Sequence, residues 1–476
     1  MNESLLMGDR FPKVLFGTSG VRALVADLTS EAVSAYVYAF VARMRAEHAL
    51  PDGAIVVVGM DLRPSSPGIA AAVCGALRTL GCRAEFLGAL PTPALALRCL
   101  SSGVPGIMVT GSHIPFDRNG IKFYGPVGEI LKEDEQAIVT CPIPADWLDG
   151  LPKAFQLPSI TPAATETYVR RYLDLFGADC LAGKRVGLYE HSAVGRDLTA
   201  SLLAQLGATV ISLGRSDEFV PVDTEAVGEA DLAQARRWCE AHRLDAVVST
   251  DGDGDRPLVF DECGEFVRGD LLGLMCARAL GIRRLVVPVS CNTAIEQCGT
   301  FAQIVRSRIG SPFVIAGMND LVSQGEGAVA GFEANGGFLL GTSLPGLAAL
   351  PTRDAILPML SLLVNAARKN QKISSLVAEL PGRYTCSDRI KDFPAEQSRE
   401  LLAKLLGEAD TQRVLAGKPV VPIDVDTTDG VRLRFADGDI VHLRASGNAP
   451  ELRCYAESGS QDTAKTLCLS TLGRIR

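Results

Sequence analysis

One structural unit occurs three times in this chain, and it is the strongest constraint on the fold. Each copy has an apolar run rich in β-branched residues, a polar turn, a helical stretch, a glycine and a second apolar run. The glycine suits the residue after a helix, where a positive φ is often required. A strand–helix–strand unit of this length implies two parallel strands with a crossover helix. The copies occupy residues 55–87, 184–213 and 284–305.

These copies predict three related α/β domains, since a solenoid would repeat every 20–50 residues. The last part of the chain has a different pattern. A helical stretch at 396–406 precedes short apolar runs at 425–426, 430–435 and 440–443, and an amphipathic helix is expected at 464–472. Asp-Gly pairs, which favour tight hairpin turns, separate the short runs. We therefore predict a smaller α+β domain at the carboxyl end.

Composition excludes several classes of protein. The net charge of -8 argues against a general nucleic-acid binder, which needs a basic surface. No apolar run approaches the roughly 20 residues that span a bilayer, and the first residues lack the pattern of a signal peptide. The thirteen cysteines are scattered without a C-x-x-C pair, which indicates reduced thiols. The sequence predicts a cytoplasmic protein that contacts neither nucleic acid nor membrane.

The segment at 251–256, DGDGDR, is the clearest candidate metal site. Asp251, Asp253 and Asp255 alternate with residues that let the backbone curl, so their carboxylates can converge on one cation. A solvated acidic turn is the plain alternative. An EF-hand also partly matches, because Glu262 falls at its twelfth position. However, Arg256 stands where that loop requires glycine, and a strand precedes it. We interpret the loop as a Mg²⁺ site with positions open for phosphate or water.

A second candidate loop, TGSHIP at 110–115, follows the apolar run 106–109. Ser112 between a glycine and His113 could be a nucleophile, although a structural serine turn with a hydrogen-bonded histidine explains the segment better when it is taken by itself. A Ser–His–Asp hydrolase fits less well, because adjacent residues rarely form the nucleophile–base pair and the G-x-S-x-G pattern is absent.

Two downstream loops complete the set of candidate binding sites. Glu333 and Asn335 lie among glycines at 331–337, where they could bind sugar hydroxyls or simply form a turn. The segment 444–453 combines arginines, a hydroxyl and an amide, which suits a phosphate-binding turn, with a plain hairpin as the alternative. Its candidate residues are Arg444, Ser446, Gly447, Asn448 and Arg453.

Taken together and in this order, the loops resemble those of the α-D-phosphohexomutase superfamily, the phosphomannomutase/phosphoglucomutase enzymes. The resemblance covers nearly the whole chain. It begins with FGTSGVR at 16–22 and continues through the serine loop (usually TASHNP) and the metal loop (DGDGDR). It then includes the sugar loop (usually GEMSGH) and the C-terminal phosphate loop (RPSGTEPxxR).

The resemblance implies four domains around a central cleft, the first three with mixed, largely parallel sheets. We expect a phosphoserine-loop domain at 1–153, a metal-binding domain at 154–260, a sugar-binding domain at 261–372 and a phosphate-binding domain at 373–476. It implies that Ser112 carries the phosphoryl group and joins the three aspartates as a ligand of Mg²⁺. Lys122 and Arg22 would transfer protons and stabilise charge, His113 would support the serine loop, and Arg256 would lie near the phosphate.

The implied reaction interconverts mannose 6-phosphate and mannose 1-phosphate for nucleotide-sugar synthesis, through a hexose 1,6-bisphosphate. Glucose 1,6-bisphosphate or a similar compound would be the activator, and the protein would be a monomer or a homodimer. Phosphoglucomutase or dual activity, phosphoglucosamine mutase, a non-catalytic sugar-phosphate-binding relative and a Ca²⁺-binding module stay open. Departures from the family pattern are Gly111 for alanine, Ile114 for asparagine, Asn335 for serine, and Gly337 and Ser311 for histidines.

Overall fold

The computed structural model describes residues 5–17, 19–152, 154–325, 327–446 and 450–475. Within these ranges, the chain forms three α/β units followed by an antiparallel sheet with helices. All thirteen cysteines are free, as expected of reduced thiols. No helix in the described ranges is both long enough and apolar enough to cross a membrane.

The first unit contains a seven-stranded mixed sheet and a separate two-stranded sheet. Its strands are β1 (Leu5–Leu6), β2 (Leu15–Phe16), β3 (Val21–Leu24), β4 (Ile55–Met60), β5 (Arg83–Ala89), β6 (Gly106–Val109), β7 (Arg118–Gly125), β8 (Gly128–Glu129) and β9 (Pro142–Ile143), and its helices are α1 (Met7–Arg10), α2 (Ser30–His48), α3 (Ser66–Thr79), α4 (Thr92–Ser102), α5 (Lys132–Val139) and α6 (Ala145–Asp149). The order β2-β3-β7-β6-β4-β5 places three parallel strands at one side, while β8 pairs with β7 and β1 with β9.

The second unit is built around the next copy of the repeat. Its elements are α7 (Ala163–Phe176), β10 (Arg185–Tyr189), α8 (Arg196–Gln205), β11 (Thr209–Leu213), α9 (Glu229–His242), β12 (Ala246–Thr250), β13 (Pro257–Phe260) and β14 (Phe266–Val267). The order β11-β10-β12-β13-β14 joins three parallel strands to an antiparallel pair. β14 belongs to this sheet, so the sheet extends beyond residue 260, where the sequence led us to expect a domain boundary. The boundaries of the four domains remain predictions.

The third unit repeats the topology of the second. Its elements are α10 (Gly269–Ala279), β15 (Arg284–Pro288), α11 (Ala294–Gln297), β16 (Gln303–Ser307), α12 (Ser311–Ser323), β17 (Val329–Phe332), β18 (Phe338–Leu340), β19 (Leu350–Asp354), α13 (Ile356–Lys369) and α14 (Ile373–Ala378). The order is β16-β15-β17-β18-β19. The predicted parallel pair is present in every copy, and Gly81, Gly207 and Gly299 have φ of 74°, 91° and 63°.

The last unit is a five-stranded antiparallel sheet. Its elements are β20 (Tyr384–Ile390), α15 (Ala395–Gly407), α16 (Ala409–Ala416), β21 (Asp424–Asp426), β22 (Val431–Arg434), β23 (Ile440–Ala445), β24 (Leu452–Ser458) and α17 (Gln461–Gly473), in the strand order β20-β24-β23-β22-β21. The three predicted short strands and both predicted helices are present. The sequence pattern did not reveal β20 or β24, whose alternation includes charged residues such as Arg453 and Glu457.

Buried polar contacts join the second unit to the third and the third unit to the first. Tyr168 and Tyr172 on α7 donate hydrogen bonds to Asp354 at the end of β19, at 2.7 and 2.5 Å. Ser311 at the start of α12 donates to Glu129 in the first unit at 3.3 Å. The position of Ser311, where the family resemblance suggested a histidine, therefore serves a contact between units in this chain.

Candidate active site

The loop after β6 holds Ser112 in a left-handed backbone conformation. Its φ is 53°, which costs a non-glycine residue free energy and needs support from the surrounding structure. The Ser112 N–H donates to Thr110 Oγ1 at 2.8 Å, and Ser112 Oγ donates to Asp251 Oδ2 at 2.6 Å. The candidate nucleophile and the first carboxylate of the metal loop are thus in direct contact.

Arg63, which we did not select from the sequence, supports the serine loop. Its side chain is fully buried, and its guanidinium carbon lies 4.0 Å from the centroid of the Phe219 ring. The guanidinium donates to four carbonyl oxygens, those of Ser112 at 2.9 Å, Ile114 at 2.5 Å, Pro115 at 2.7 Å and Arg118 at 2.9 Å. Because buried carbonyl groups need partners, this one side chain holds the irregular loop in place.

The same arginine explains the glycine at position 111. A Cβ atom there would lie 2.6 Å from Arg63 Nε, so a larger residue would displace the guanidinium. Asp61 accepts hydrogen bonds from Thr110 Oγ1 at 2.8 Å and from the Arg63 N–H at 3.0 Å. In the sequence, Asp61 and Arg63 belong to the polar turn that follows the first strand of the first repeat, and this turn was the feature from which both could have been selected.

The metal loop brings three buried carboxylates together after β12. Asp251, Asp253 and Asp255 each have one oxygen within 4.8 Å of the other two. The N–H groups of Asp255 and Arg256 both donate to Asp251 Oδ1 at 3.2 Å, which curls the loop around this side chain. A Cβ atom on Gly252 would lie 2.8 Å from the Ser112 carbonyl oxygen, so the metal and serine loops pack against each other.

The charge of this loop suits a small, hard cation. Burial, followed by repulsion from Asp253 and Asp255, raises the pKa of Asp251 well above its ordinary value, so the site resists holding three negative charges. The Oδ1 atoms of Asp253 and Asp255 are buried and lack hydrogen-bond partners in the described structure. Carboxylate oxygens that need positive charge are the donors Mg²⁺ prefers, so these residues fit the ion.

Lys122 on β7 binds the same carboxylates. Its Nζ donates to Asp253 Oδ2 at 2.7 Å and to Asp255 Oδ2 at 2.6 Å. Burial by itself lowers the pKa of Lys122, but the two carboxylates outweigh it and the pKa is raised. The side chain is therefore a fixed ammonium group beside the candidate metal site.

Arg22 and Arg256 add further positive charge. Arg256 Nε lies 3.6 Å from Asp255 Oδ1 and 3.9 Å from Asp251 Oδ2. Burial, together with repulsion from Arg256 and Arg353, lowers the pKa of Arg22 to about 10, so Arg22 remains charged near neutral pH. The structure thus places both predicted arginines at the metal loop.

His113 lies beside the candidate nucleophile, with Nδ1 3.3 Å from Ser112 Oγ. Burial, followed by repulsion from Arg256 and Arg22, holds the pKa of His113 well below its usual value. The imidazole is therefore uncharged at neutral pH, and it adds no positive charge beside the serine.

The sugar loop is a tight turn between β17 and β18. Glu333 and Asn335 are both buried, with 4% and 3% of their surface exposed. Asn335 Oδ1 accepts a hydrogen bond from the Gly337 N–H at 2.9 Å, which leaves the amide nitrogen as the group suited to donate to a ligand. Arg353, a second residue we missed, donates from Nη1 to Glu333 Oε2 at 3.1 Å. Nothing in the sequence around Arg353 resembled a motif.

The C-terminal loop is only partly described. Gly447 and Asn448 lie outside the described residues, while Ser446 precedes them. Arg444 Nε donates to Asp429 Oδ1 at 2.9 Å, and the other carboxylate oxygen of Asp429 accepts from the Ile309 N–H at 2.9 Å. Arg444 is thus paired with a residue of its own unit, and that residue in turn contacts the third unit. To bind phosphate, it would have to share or exchange this partner.

Glu225 connects the C-terminal loop with the rest of the site. Burial raises the pKa of Glu225, while Arg256 and Arg453 oppose the shift and Glu333 adds to it. One carboxylate therefore lies close to side chains of the metal, sugar and C-terminal loops. Arg453 also approaches Glu451 at 3.5 Å. We did not select Glu225 from the sequence because its surroundings carry no recognisable pattern.

Models of the phosphoglucomutase/phosphomannomutase family match the chain along its length. The model of α/β/α domain I matches residues 13–142, domain II residues 166–264, domain III residues 268–384 and the C-terminal domain residues 363–472.

Complete relatives and solved structures agree with these matches. A phosphomannomutase from Salmonella muenchen is 46% identical, covering 97% of this chain and 95% of the relative. A phosphomannomutase from Sinorhizobium fredii is 42% identical, covering 95% and 96%. The crystal structure of a phosphoglucomutase/phosphomannomutase family protein from Burkholderia thailandensis shares the fold with a TM-score of 0.75 at 19% identity, covering 96% of each chain. The chain therefore belongs to the phosphoglucomutase/phosphomannomutase family of the α-D-phosphohexomutase superfamily.

Proposed function

We propose that the protein is a phosphomannomutase that interconverts mannose 1-phosphate and mannose 6-phosphate through phosphorylated Ser112. The observation that carries this proposal is the hydrogen bond from Ser112 Oγ to Asp251. Beside it, Lys122 donates hydrogen bonds to Asp253 and Asp255. Phosphoryl transfer depends mainly on alignment and neutralisation of charge, and this cluster provides both.

In the proposed reaction, phosphorylated Ser112 gives its phosphoryl group to the free 6-hydroxyl of mannose 1-phosphate. The bond from Ser112 Oγ to phosphorus breaks as the bond from the sugar oxygen forms, and the proton of the 6-hydroxyl ends on Ser112 Oγ, giving mannose 1,6-bisphosphate and free Ser112. This intermediate turns within the cleft, and its 1-phosphoryl group returns to Ser112, which leaves mannose 6-phosphate. A hexose 1,6-bisphosphate such as glucose 1,6-bisphosphate would phosphorylate Ser112 at the start.

The charged groups around Ser112 have distinct proposed roles. Lys122, kept protonated by two carboxylates, stabilises negative charge on the transferring group. Arg22 and Arg256 add positive charge on the same loop. When bound by Asp251, Asp253 and Asp255, Mg²⁺ would neutralise the phosphoryl oxygens as a Lewis acid.

The remaining residues would recognise the substrate. Glu333 and Asn335 would bind the sugar hydroxyls, since both lie in the turn between β17 and β18. Arg453, near Glu225 and therefore near the metal and sugar loops, would bind the phosphate that does not react. Arg444, Ser446, Gly447 and Asn448 are proposed for the same phosphate.

The choice of mannose over glucose is supported by the two relatives named phosphomannomutase. We propose to measure kcat/KM with mannose, glucose and glucosamine 1-phosphates, each with Mg²⁺ and a bisphosphate activator. A preference for the mannose compound supports the proposal. Equal use of glucose would establish dual specificity, whereas a preference for glucose or glucosamine would contradict it, and no turnover would favour a non-catalytic relative.

A further inference from the structure

Arg353 joins the metal loop to the sugar loop through one buried guanidinium group. Its side chain is 3% exposed. Nε donates to Asp255 Oδ2 at 3.0 Å, Nη2 lies 2.9 Å from the same oxygen, and Nη1 donates to Glu333 Oε2 at 3.1 Å. Among the described residues, no other side chain forms a hydrogen bond with the Glu333 carboxylate. The orientation of Glu333 therefore depends on Arg353.

This contact leaves Glu333 with one oxygen held and the other available. Arg353 donates its hydrogen bond to Glu333 Oε2, and it forms no hydrogen bond with Glu333 Oε1. A carboxylate held at one oxygen keeps a single rotamer, so a ligand hydroxyl meets it without the cost of ordering the side chain. Without the arginine, Glu333 would also be a buried charge lacking its partner.

The glycine at position 337 makes room for this arrangement. A Cβ atom there would lie 2.7 Å from Arg353 Cγ and 2.8 Å from Cδ. A side chain at position 337 and the observed position of Arg353 therefore exclude each other. In this chain, β19 supplies a charged donor at the place where the family resemblance suggested a histidine from the sugar loop.

We propose that Arg353 is a positioning residue for Glu333, and through Glu333 a determinant of which hexose phosphate the site accepts. This inference rests on the proposed function. Asp255 and Glu333 both contact the guanidinium, so a movement at Gly337 or Arg353 would change the place where Glu333 meets the sugar.

The test is a double-mutant cycle between Arg353→Met and Glu333→Gln, read out as KM for mannose 1-phosphate. We expect Arg353→Met to raise KM about tenfold or more in the wild-type background, as loss of a charge-assisted hydrogen bond would. In the Glu333→Gln background, we expect a much smaller effect on KM, because the Glu333 carboxylate is already lost and only the contact of Arg353 with Asp255 is left to remove. The ratio of kcat/KM for mannose and glucose 1-phosphates should also change in Arg353→Met.

Three further variants separate positioning from general stability. Arg353→Lys should have a KM between those of the wild type and Arg353→Met. Gly337→Ala should change the ratio of kcat/KM for mannose and glucose 1-phosphates as Arg353→Met does, because the added methyl group displaces the arginine. Arg236→Met, which removes an exposed arginine paired with Glu229 and Glu265, should leave KM unchanged.

An equal effect of Arg353→Met on KM in both backgrounds would overturn the inference. It would also be overturned if Arg353→Met left the ratio of kcat/KM for the two sugar phosphates unchanged and lowered kcat only in proportion to the folded fraction. Both outcomes require an active wild-type enzyme. A wild type without mutase turnover would instead contradict the proposed function, so the two failures can be told apart.

Discussion

Ser112 and Asp251 are separated by 139 residues, yet Ser112 Oγ donates to Asp251 Oδ2 at 2.6 Å. This bond joins the serine loop of the first unit to the metal loop of the second. Both loops follow the third strand of the parallel set in their units, β6 and β12. The repeated topology therefore brings the candidate nucleophile and a candidate metal ligand together at equivalent ends of two related sheets.

Removing one aspartate should abolish support of turnover by Mg²⁺. We expect Asp253→Ala to lower kcat by about a hundredfold or more, because the loop loses a ligand and Lys122 loses one of its two carboxylates. A Mg²⁺ titration of kcat measures this effect. Asp410→Ala, which changes an exposed aspartate in the C-terminal unit, is the control. Full Mg²⁺-dependent activity in Asp253→Ala would contradict the assigned metal site.

Arg63 should be important for both stability and catalysis. Arg63→Met leaves several buried carbonyl groups and Asp61 without their partner, so we expect the free energy of unfolding to fall by about 3 kcal/mol or more. Urea unfolding measures the loss. In the fraction that remains folded, kcat should fall, because the loop that carries Ser112 loses its support. If Arg63→Met were active and as stable as the wild type, the serine loop would keep its conformation without Arg63, which would contradict this prediction.

The contact of α7 with Asp354 should contribute to stability independently of the active site. Tyr168→Phe removes a hydrogen bond of 2.7 Å to a buried carboxylate. We expect the free energy of unfolding to fall by about 1–3 kcal/mol, because the carboxylate loses a buried donor. The exposed phenol of Tyr384 offers a control as Tyr384→Phe. Equal stability of both variants would contradict this prediction.

Two buried histidines should make the protein less stable in acid. Burial lowers the pKa of His191 and of His442 to about 4, although a carbonyl oxygen accepts a hydrogen bond from each ring. Below about pH 6.5 the unfolded chain binds protons at these positions and the folded chain does not, so stability falls as the pH decreases towards 4. Each histidine should contribute about 1.4 kcal/mol per pH unit within this window.

Urea unfolding between pH 7 and 4 tests this dependence. His191→Gln should reduce the slope whatever its effect on stability at pH 7. A slope identical to that of the wild type would show that His191 is protonated in the folded protein.

The repeats and loop motifs predicted much of the fold and site because both depend on local sequence. The βαβ units, the glycines after their helices and the convergence of Asp251, Asp253 and Asp255 all follow from short-range patterns. Arg63 and Arg353 could not be recognised in this way. Each acts by contacting loops distant in sequence: Ser112 lies 49 positions after Arg63, and Arg353 lies 98 positions after Asp255. Such partners become evident only once the sheets are assembled.

The C-terminal unit shows the same limit in its strands. β21, β22 and β23 were predicted from apolar runs and Asp-Gly turns. β24 lies between β20 and β23 in the sheet, but Arg453, Tyr455 and Glu457 alternate with its apolar residues and weaken the strand pattern. Arg444 was expected to bind phosphate, but its observed partner is Asp429, which a motif does not reveal.

The most direct test of the account is the intact mass of the protein after treatment with glucose 1,6-bisphosphate, with peptide mapping of any adduct. We predict an addition of about 80 Da on Ser112 and no such addition in Ser112→Ala. The added mass should be lost when a hexose monophosphate is supplied, because its free hydroxyl accepts the phosphoryl group. A wild-type protein that never gains this mass, or that gains it equally in Ser112→Ala, would contradict the proposed phosphoserine mechanism.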